Sequence, residues 1–205
     1  MTMCETELKA MLARIKGGGY AGLATADLDA LVDAMLVHLG SVDPELRDDL
    51  IYEAFVEVIL HRGADTGLYI RILDACLGKI SDGIEGDDPD TVFRRSFSML
   101  VVALVLERDR QGPFLGEARV REAFDRICDA YRHEWNLAGY YPVKGWAHTV
   151  AHTADAFAII VRSEALGKED AGRILGLIRD KFLQPRYCFI DGEDERTARV
   201  VEAML

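Results

Sequence analysis

Apolar residues recur at i, i+3, i+4 and i+7 along nearly the whole chain, and no stretch alternates apolar and polar residues convincingly. The pattern predicts helices over roughly 5–15, 27–39, 44–62, 66–79, 91–108, 117–133, 146–164, 168–182 and 193–204. Breakers fall between them: "GGGY" and "GLATAD" before the second helix, "SVDPEL" before the third, "GDDPDT" before the fifth and "GYYPVKG" before the seventh. Asp43-Pro44 and Asp88-Pro89 each offer a capping carboxylate followed by a proline that suits a first helical turn. Alternate helices start near 44, 91, 146 and 193, a recurrence of about 50 residues. The expected fold is therefore all-α, a single domain over 1–205 built as a HEAT-like stack of antiparallel helical hairpins, an α-solenoid. An irregular helical bundle is the alternative, because "DPELRDDLIYEAFVEVIL" and "DPDTVFRRSFSMLVVALV" share the cap and the apolar spacing and little else. The acidic, glycine-bearing "ISDGIEGDDPD" is the best loop or hinge segment.

Charge narrows the partners. Thirty-five acidic against 24 basic side chains give a formal net charge of −11, a field that repels phosphate backbones and anionic membranes. Nucleic acid and membrane are not expected partners. The longest apolar run, "MLVVALVL", is too short to span a bilayer, and Glu5 and Glu7 stand where a signal peptide needs basic residues. Cys4, Cys76, Cys128 and Cys188 form no C-x-x-C pair, so reduced, mostly buried thiols are expected. These features point to the cytoplasm.

The candidate chemistry sits in "KGWAHTVAHTAD". At about 100° per residue, His148, His152 and Asp155 fall within an arc of about 60° on one helix. Val150, Ala154, Phe157 and Val161 cluster away from that arc as the core face, so the His/Asp side is expected outside the main core, and replacing His152 by alanine should scarcely change folding. Two imidazoles at i and i+4 can bind one transition metal, which makes His148 and His152 the candidate metal ligands and a divalent transition metal the candidate cofactor. The intervening residues are Thr149, Val150 and Ala151, so the glutamate of H-E-x-x-H enzymes is missing. An exposed polar face, or histidines bonded at a helix contact, is the plain alternative.

If alternate helices stack in parallel, their first turns gather along one edge. His148 is expected in the first turn of its helix, and the corresponding turn of the last helix is "DGEDERTA", where Asp191 can cap and Glu193, Asp194 and Arg196 follow. Arg94 and Arg95 occupy a similar early position in "TVFRRSFSML", and Glu134 lies in the segment leading into the histidines. Acidic residues in a first turn also simply complement the helix dipole. Ser96 and Ser98 have no evident paired base. Glu53, Glu57 and His61 read as a wet helix face.

At "GWAHTVAHTAD", "EDER" and "RSFS" the sequence resembles a bacterial family of uncharacterised proteins, domain of unknown function family 2785, over most of the chain. The matching residues are Gly145, Trp146, Ala147, His148, Ala151, His152, Ala154 and Asp155, then Glu193 to Arg196, then Arg95 to Ser98. The chain departs from the family at Asn136 and Ala138, where an acidic and a basic residue are expected. The resemblance implies no activity. It identifies these segments and leaves their chemistry open; within them Trp146, Asp155, Asp194, Arg196 and Arg95 are the candidate ligand contacts, beside His148, His152 and Glu193 as candidate catalytic residues. Two readings stand. In one, a polar cleft binds a metal ion or a small polar ligand, with a metal-bound water as nucleophile and Glu193 as base should the site be catalytic. In the other, the chain is a non-enzymatic scaffold for a protein partner, and the His/Asp/Glu cluster is a hydrogen-bond network locking the last two repeats.

Overall fold

The computed structural model describes residues 3–205, so residues 1 and 2 of the expected domain lie outside the described residues. Among the described residues nine helices follow one another: α1 (Glu5–Gly17), α2 (Leu28–His38), α3 (45–61), α4 (Thr66–Leu77), α5 (Thr91–Gln111), α6 (Glu117–His133), α7 (Thr149–Ile160), α8 (Lys168–Phe182) and α9 (Glu193–Ala203). The fold is all-α, as the apolar periodicity predicts. α3 is the expected single helix, but it is wound as a π-helix over Glu45–Tyr52 and again over Glu57–His61. Its start is held by Asp43, whose Oδ1 accepts the amides of Glu45 and Leu46. Asp88 does not cap α5 in the same way; its Oδ1 accepts the Asp90 amide, and the helix begins at Thr91.

Two expectations near the histidines need correction. The helix predicted over 146–164 spans only Thr149–Ile160. Ahead of it lies a small hairpin, β1 (Tyr140–Tyr141) paired antiparallel with β2 (Gly145–Trp146), with Tyr140 opposite Trp146 and Tyr141 opposite Gly145. Two residues per strand are too few for any alternation to show in sequence. The tip takes Val143 and Gly145 to positive φ, 72° and 80°. Of the four cysteines, all unpaired, Cys76 and Cys128 are buried and Cys4 and Cys188 are exposed.

Neighbour relations sort the helices by parity. α1 packs on α3, α3 on α5, α5 on α7 and α7 on α9, while α2 packs on α4, α4 on α6 and α6 on α8. α4 against α5 and α6 against α7 join the two rows. α5 is covered on most sides, which is why residues 99–106 can be apolar all round. One apolar cluster runs from Leu8 in α1 to Val200 in α9. Among the described residues no helix is long and apolar enough to cross a membrane.

The approach of α5 to the segment after α2 is close. A Cβ added at Gly40 would lie 2.6 Å from the Cβ and 2.9 Å from the Cα of Arg94. Neither atom can swing aside without moving the α5 backbone. We expect Gly40→Ala to destabilise the chain by about 1–3 kcal/mol, read as a lower midpoint in urea denaturation with an unchanged slope.

Candidate functional site

The site is built where the hairpin feeds into α7. The Gly139 carbonyl accepts both the Ala147 amide (2.8 Å) and the His148 amide (3.1 Å), folding residues 139–148 into a closed loop. Arg47 of α3, with 0% of its surface exposed, staples that loop from below. Its Nη2 donates to the carbonyls of Lys144 (2.8 Å) and Trp146 (3.3 Å), and its guanidinium lies 4.3 Å from the Phe93 ring centre and 4.7 Å from that of Phe97. His148 is not in the first turn. It is the N-cap, held at φ 49°, ψ 34°, a left-handed conformation that is strained for a residue with a Cβ.

Each histidine has its protonation pattern set by a neighbour. His148 is half-buried, stacked on Trp146 (centroids 4.4 Å, 22°), and its Nε2 lies 3.0 Å from the Asp191 carbonyl. A carbonyl only accepts, so Nε2 carries the hydrogen. Burial lowers the pKa of His148, opposed by the Glu193 and Asp191 charges, and neutral imidazole then leaves a lone pair on Nδ1. His152 Nδ1 lies 2.6 Å from Ser96 Oγ, and Ser96 also donates to the Ala147 carbonyl. The single hydroxyl hydrogen goes to that carbonyl, so His152 Nδ1 donates to Ser96 Oγ. Burial pushes the His152 pKa well below its ordinary value, aided by the neighbouring His148 ring and the Arg196 guanidinium, which leaves Nε2 as the unprotonated nitrogen.

His152 is therefore not outside the core. It is 5% exposed, edge-on to Phe97 at 5.4 Å. The helical wheel of α7 could not show this, because α7 is clasped between α5 and α9 and most of its faces are covered, Thr149 and Thr153 included.

The cluster at the surface of this core is His148, Asp191 and Glu193, each offering a ligand atom within 4.8 Å of the others. Asp191 does not cap α9. Gly192 does, at φ 87°, and Asp191 packs on Gly139 so closely that a Cβ there would lie 2.3 Å from Asp191 Oδ2. Glu193 is 1% exposed; its Oε2 accepts the Asp191 amide at 2.9 Å, and its Oε1 is buried with no hydrogen-bond partner.

The remaining candidates divide. Asp155 forms an ion pair with Arg196 across α7 and α9, and burial raises the Asp155 pKa against the opposing pull of that arginine. Asp194 is exposed, accepts the Glu195 amide and stands apart from the cluster. Trp146 joins the site only through its stack on His148. Arg95 is buried away from it, in a two-pronged pair with Glu134 (2.7 and 2.9 Å). Asn136, where an acidic residue is expected, is buried and accepts the Tyr141 hydroxyl at 3.0 Å. Sequence reasoning missed Ser96 as the partner of His152, and treated Asp191 only as a cap. The "RSFS" run carried the signal for Ser96, but 56 residues separate the two partners.

Residues 80–205 match the family described as "Protein of unknown function (DUF2785)". The chain belongs to that family. No curated protein matches it, and no solved structure matches it. The DUF2785 match takes in the hairpin, both histidines, Asp191 and Glu193, whereas α1–α4 precede it; Arg47 therefore staples the DUF2785 segment from outside it.

Two outcomes follow from these contacts. Replacing His152 by alanine removes a buried ring and leaves the Ser96 oxygen without its donor, so we expect a loss of roughly 1–3 kcal/mol in chemical denaturation. The second concerns Asp48, paired with Arg47 at 2.7 Å, whose pKa burial raises to about 6 against the pull of that arginine. A folded-state pKa above the unfolded value of 3.8 means that this group's stabilising contribution is complete below 3.8 and lost as pH rises through about 6. Asp48→Asn keeps the uncharged form at every pH. Denaturation midpoints measured across that window should show the variant gaining on the native chain as pH rises.

Proposed function

We propose that this chain is a single-domain helical-repeat protein, a HEAT-like stack of hairpins, that binds a divalent transition-metal ion at His148, Asp191 and Glu193. The observation that carries the reading is Glu193 Oε1. A buried carboxylate oxygen without a donor costs several kcal/mol unless a cation or hydrogen bond satisfies it, and Glu193 belongs to a group in which it, His148 and Asp191 each offer one ligand atom within 4.8 Å of the others. One nitrogen and two carboxylates suit zinc, iron or manganese better than calcium, and three protein ligands leave coordination positions open. His152, with its ring centre 5.8 Å from that of His148 and Nε2 unprotonated, is a fourth candidate ligand or a base beside it. Should the site be catalytic, a metal-bound water is the nucleophile. Four unpaired cysteines and the absence of a long apolar helix among the described residues support a cytoplasmic setting for such a site.

The scaffold reading is favoured by a different observation, the burial of His152 against Ser96, which makes at least that part of the cluster a structural lock between α5 and α7. The two readings part on metal content. Chain purified without a tag or chelator should carry about one equivalent of transition metal by elemental analysis. Glu193→Gln should lower affinity by roughly 10- to 100-fold or more in a zinc or manganese titration, with the helical circular dichroism unchanged. Metal-free native chain that takes up neither ion at micromolar concentration overturns the metal reading and leaves the scaffold.

A further inference from the structure

A second feature is independent of the histidine cluster. A cavity of about 610 Å³ opens between the C-terminal ends of α6 and α8 and the turn at 184–187, a size within the usual range for small-molecule sites. In a chain of net charge −11, its wall gathers Arg132, Lys181 and Arg186. Two carboxylates line it as well, but both are already compensated: Glu134 by Arg95 at 2.7 Å and Asp180 by Arg179 at 2.6 Å. Among the described residues none of the three cations has a carboxylate within 4.0 Å, so none of them is held in an ion pair.

Lys181 makes the strongest case. It is 9% exposed, yet its ammonium makes one hydrogen bond, to the Glu134 carbonyl at 2.8 Å, and lies 5.0 Å from the Tyr131 ring centre. An ammonium has three donors, so a buried one with a single hydrogen bond has capacity for an incoming acceptor. Cations in the last turn of a helix complement its dipole, which accounts for Arg132 and in part for Lys181. It does not account for Arg186, which lies beyond α8 in a turn that the Gln184 side chain organises. Gln184 Oε1 accepts the amides of Arg186 (2.6 Å) and Tyr187 (2.9 Å), and its Nε2 donates to the Tyr187 carbonyl at 2.7 Å. The third cation is thus presented by a turn of defined shape.

Two aromatic rings, Trp135 and Tyr187, line the cavity as well. Trp135 is fixed through its indole N–H to the Ile84 carbonyl at 2.7 Å, and Tyr187 through its hydroxyl, which accepts the Gly139 amide at 3.2 Å. We propose that this cavity binds a small organic anion, a carboxylate or phosphate ester on a planar apolar body, with its oxygens on Lys181, Arg132 and Arg186 and its body against Trp135 and Tyr187. Charge-assisted hydrogen bonds to guanidinium and ammonium groups supply the affinity, and the aromatic walls select for the body.

The test is a two-dimensional 1H–15N NMR titration of the full chain with phenyl phosphate, benzoate and inorganic phosphate as probes. Saturable shifts are expected at the Trp135 indole and the 184–187 amides, with phenyl phosphate or benzoate binding more tightly than inorganic phosphate; which of the two binds better identifies the headgroup. Arg132 and Arg186 are exposed, so the double variant Arg132→Gln/Arg186→Gln keeps the fold. It should weaken binding roughly tenfold or more, while Arg14→Gln, which removes an exposed cation outside the cavity, should change it by less than about twofold. Shifts absent at millimolar probe, shifts scattered over the surface, or equal weakening in Arg14→Gln and the double variant each overturn the proposal.

Discussion

The buried pair between Arg95 and Glu134 is the contact on which both polar regions of this protein rest. Burying two charges is expensive, and the pair survives only because nearly every polar atom in it is satisfied. Glu134 Oε1 accepts from Arg95 Nη2 and from the Asn136 amide, and Oε2 accepts from Arg95 Nε. The remaining guanidinium nitrogen donates to the Asp82 carbonyl and to Thr91 Oγ1. Through these bonds the first residues of the segment after α6 are anchored to the N-terminal part of α5. The Glu134 carbonyl also holds Lys181, which brings α8 to the same point.

From that anchor the segment 134–148 runs as a partition between two sites. On one face Trp135 and Leu137 line the cation-rich cavity. On the other, Gly139 folds the chain back so that His148 meets Asp191 and Glu193. Tyr187, a cavity wall, reaches through to the Gly139 amide, so the two sites share one hydrogen-bonded link. The absence of a Cβ at Gly139 is what lets Asp191 approach, and the burial of Glu193 behind it keeps a carboxylate oxygen out of reach of water.

Among the described residues, two of the three non-glycine residues with positive φ lie at the same place, the third being Tyr20. His148 and Val143 both adopt positive φ, and Val143, at 90% exposed, has little packing to hold it there. The conformation is imposed from below, by Arg47 on the Lys144 and Trp146 carbonyls and by Ser96 on the Ala147 carbonyl. A loop so over-determined by buried donors can hold an imidazole in a geometry its own backbone disfavours, as strained residues at ligand sites commonly are.

The apolar period of 3.6 determined the helices, because each must bury a stripe, and the breakers between them set their order and ends to within a few residues along most of the chain. The "GWAH" and "EDER" runs identified the two segments that meet. What the sequence could not decide was which side chains face each other. α7 has polar residues on the arc of His152 that its own pattern assigns to solvent, and only the packing of α5 and α9 on either side turns that arc inward. The partnership of Ser96 with His152, the meeting of Asp191 with His148 in place of a capping role in α9, and the gathering of Arg132 with Lys181 and Arg186 around one cavity all join segments tens of positions apart. Such contacts depend on helix orientation and loop closure, which are set by the whole core at once and leave no local period to read.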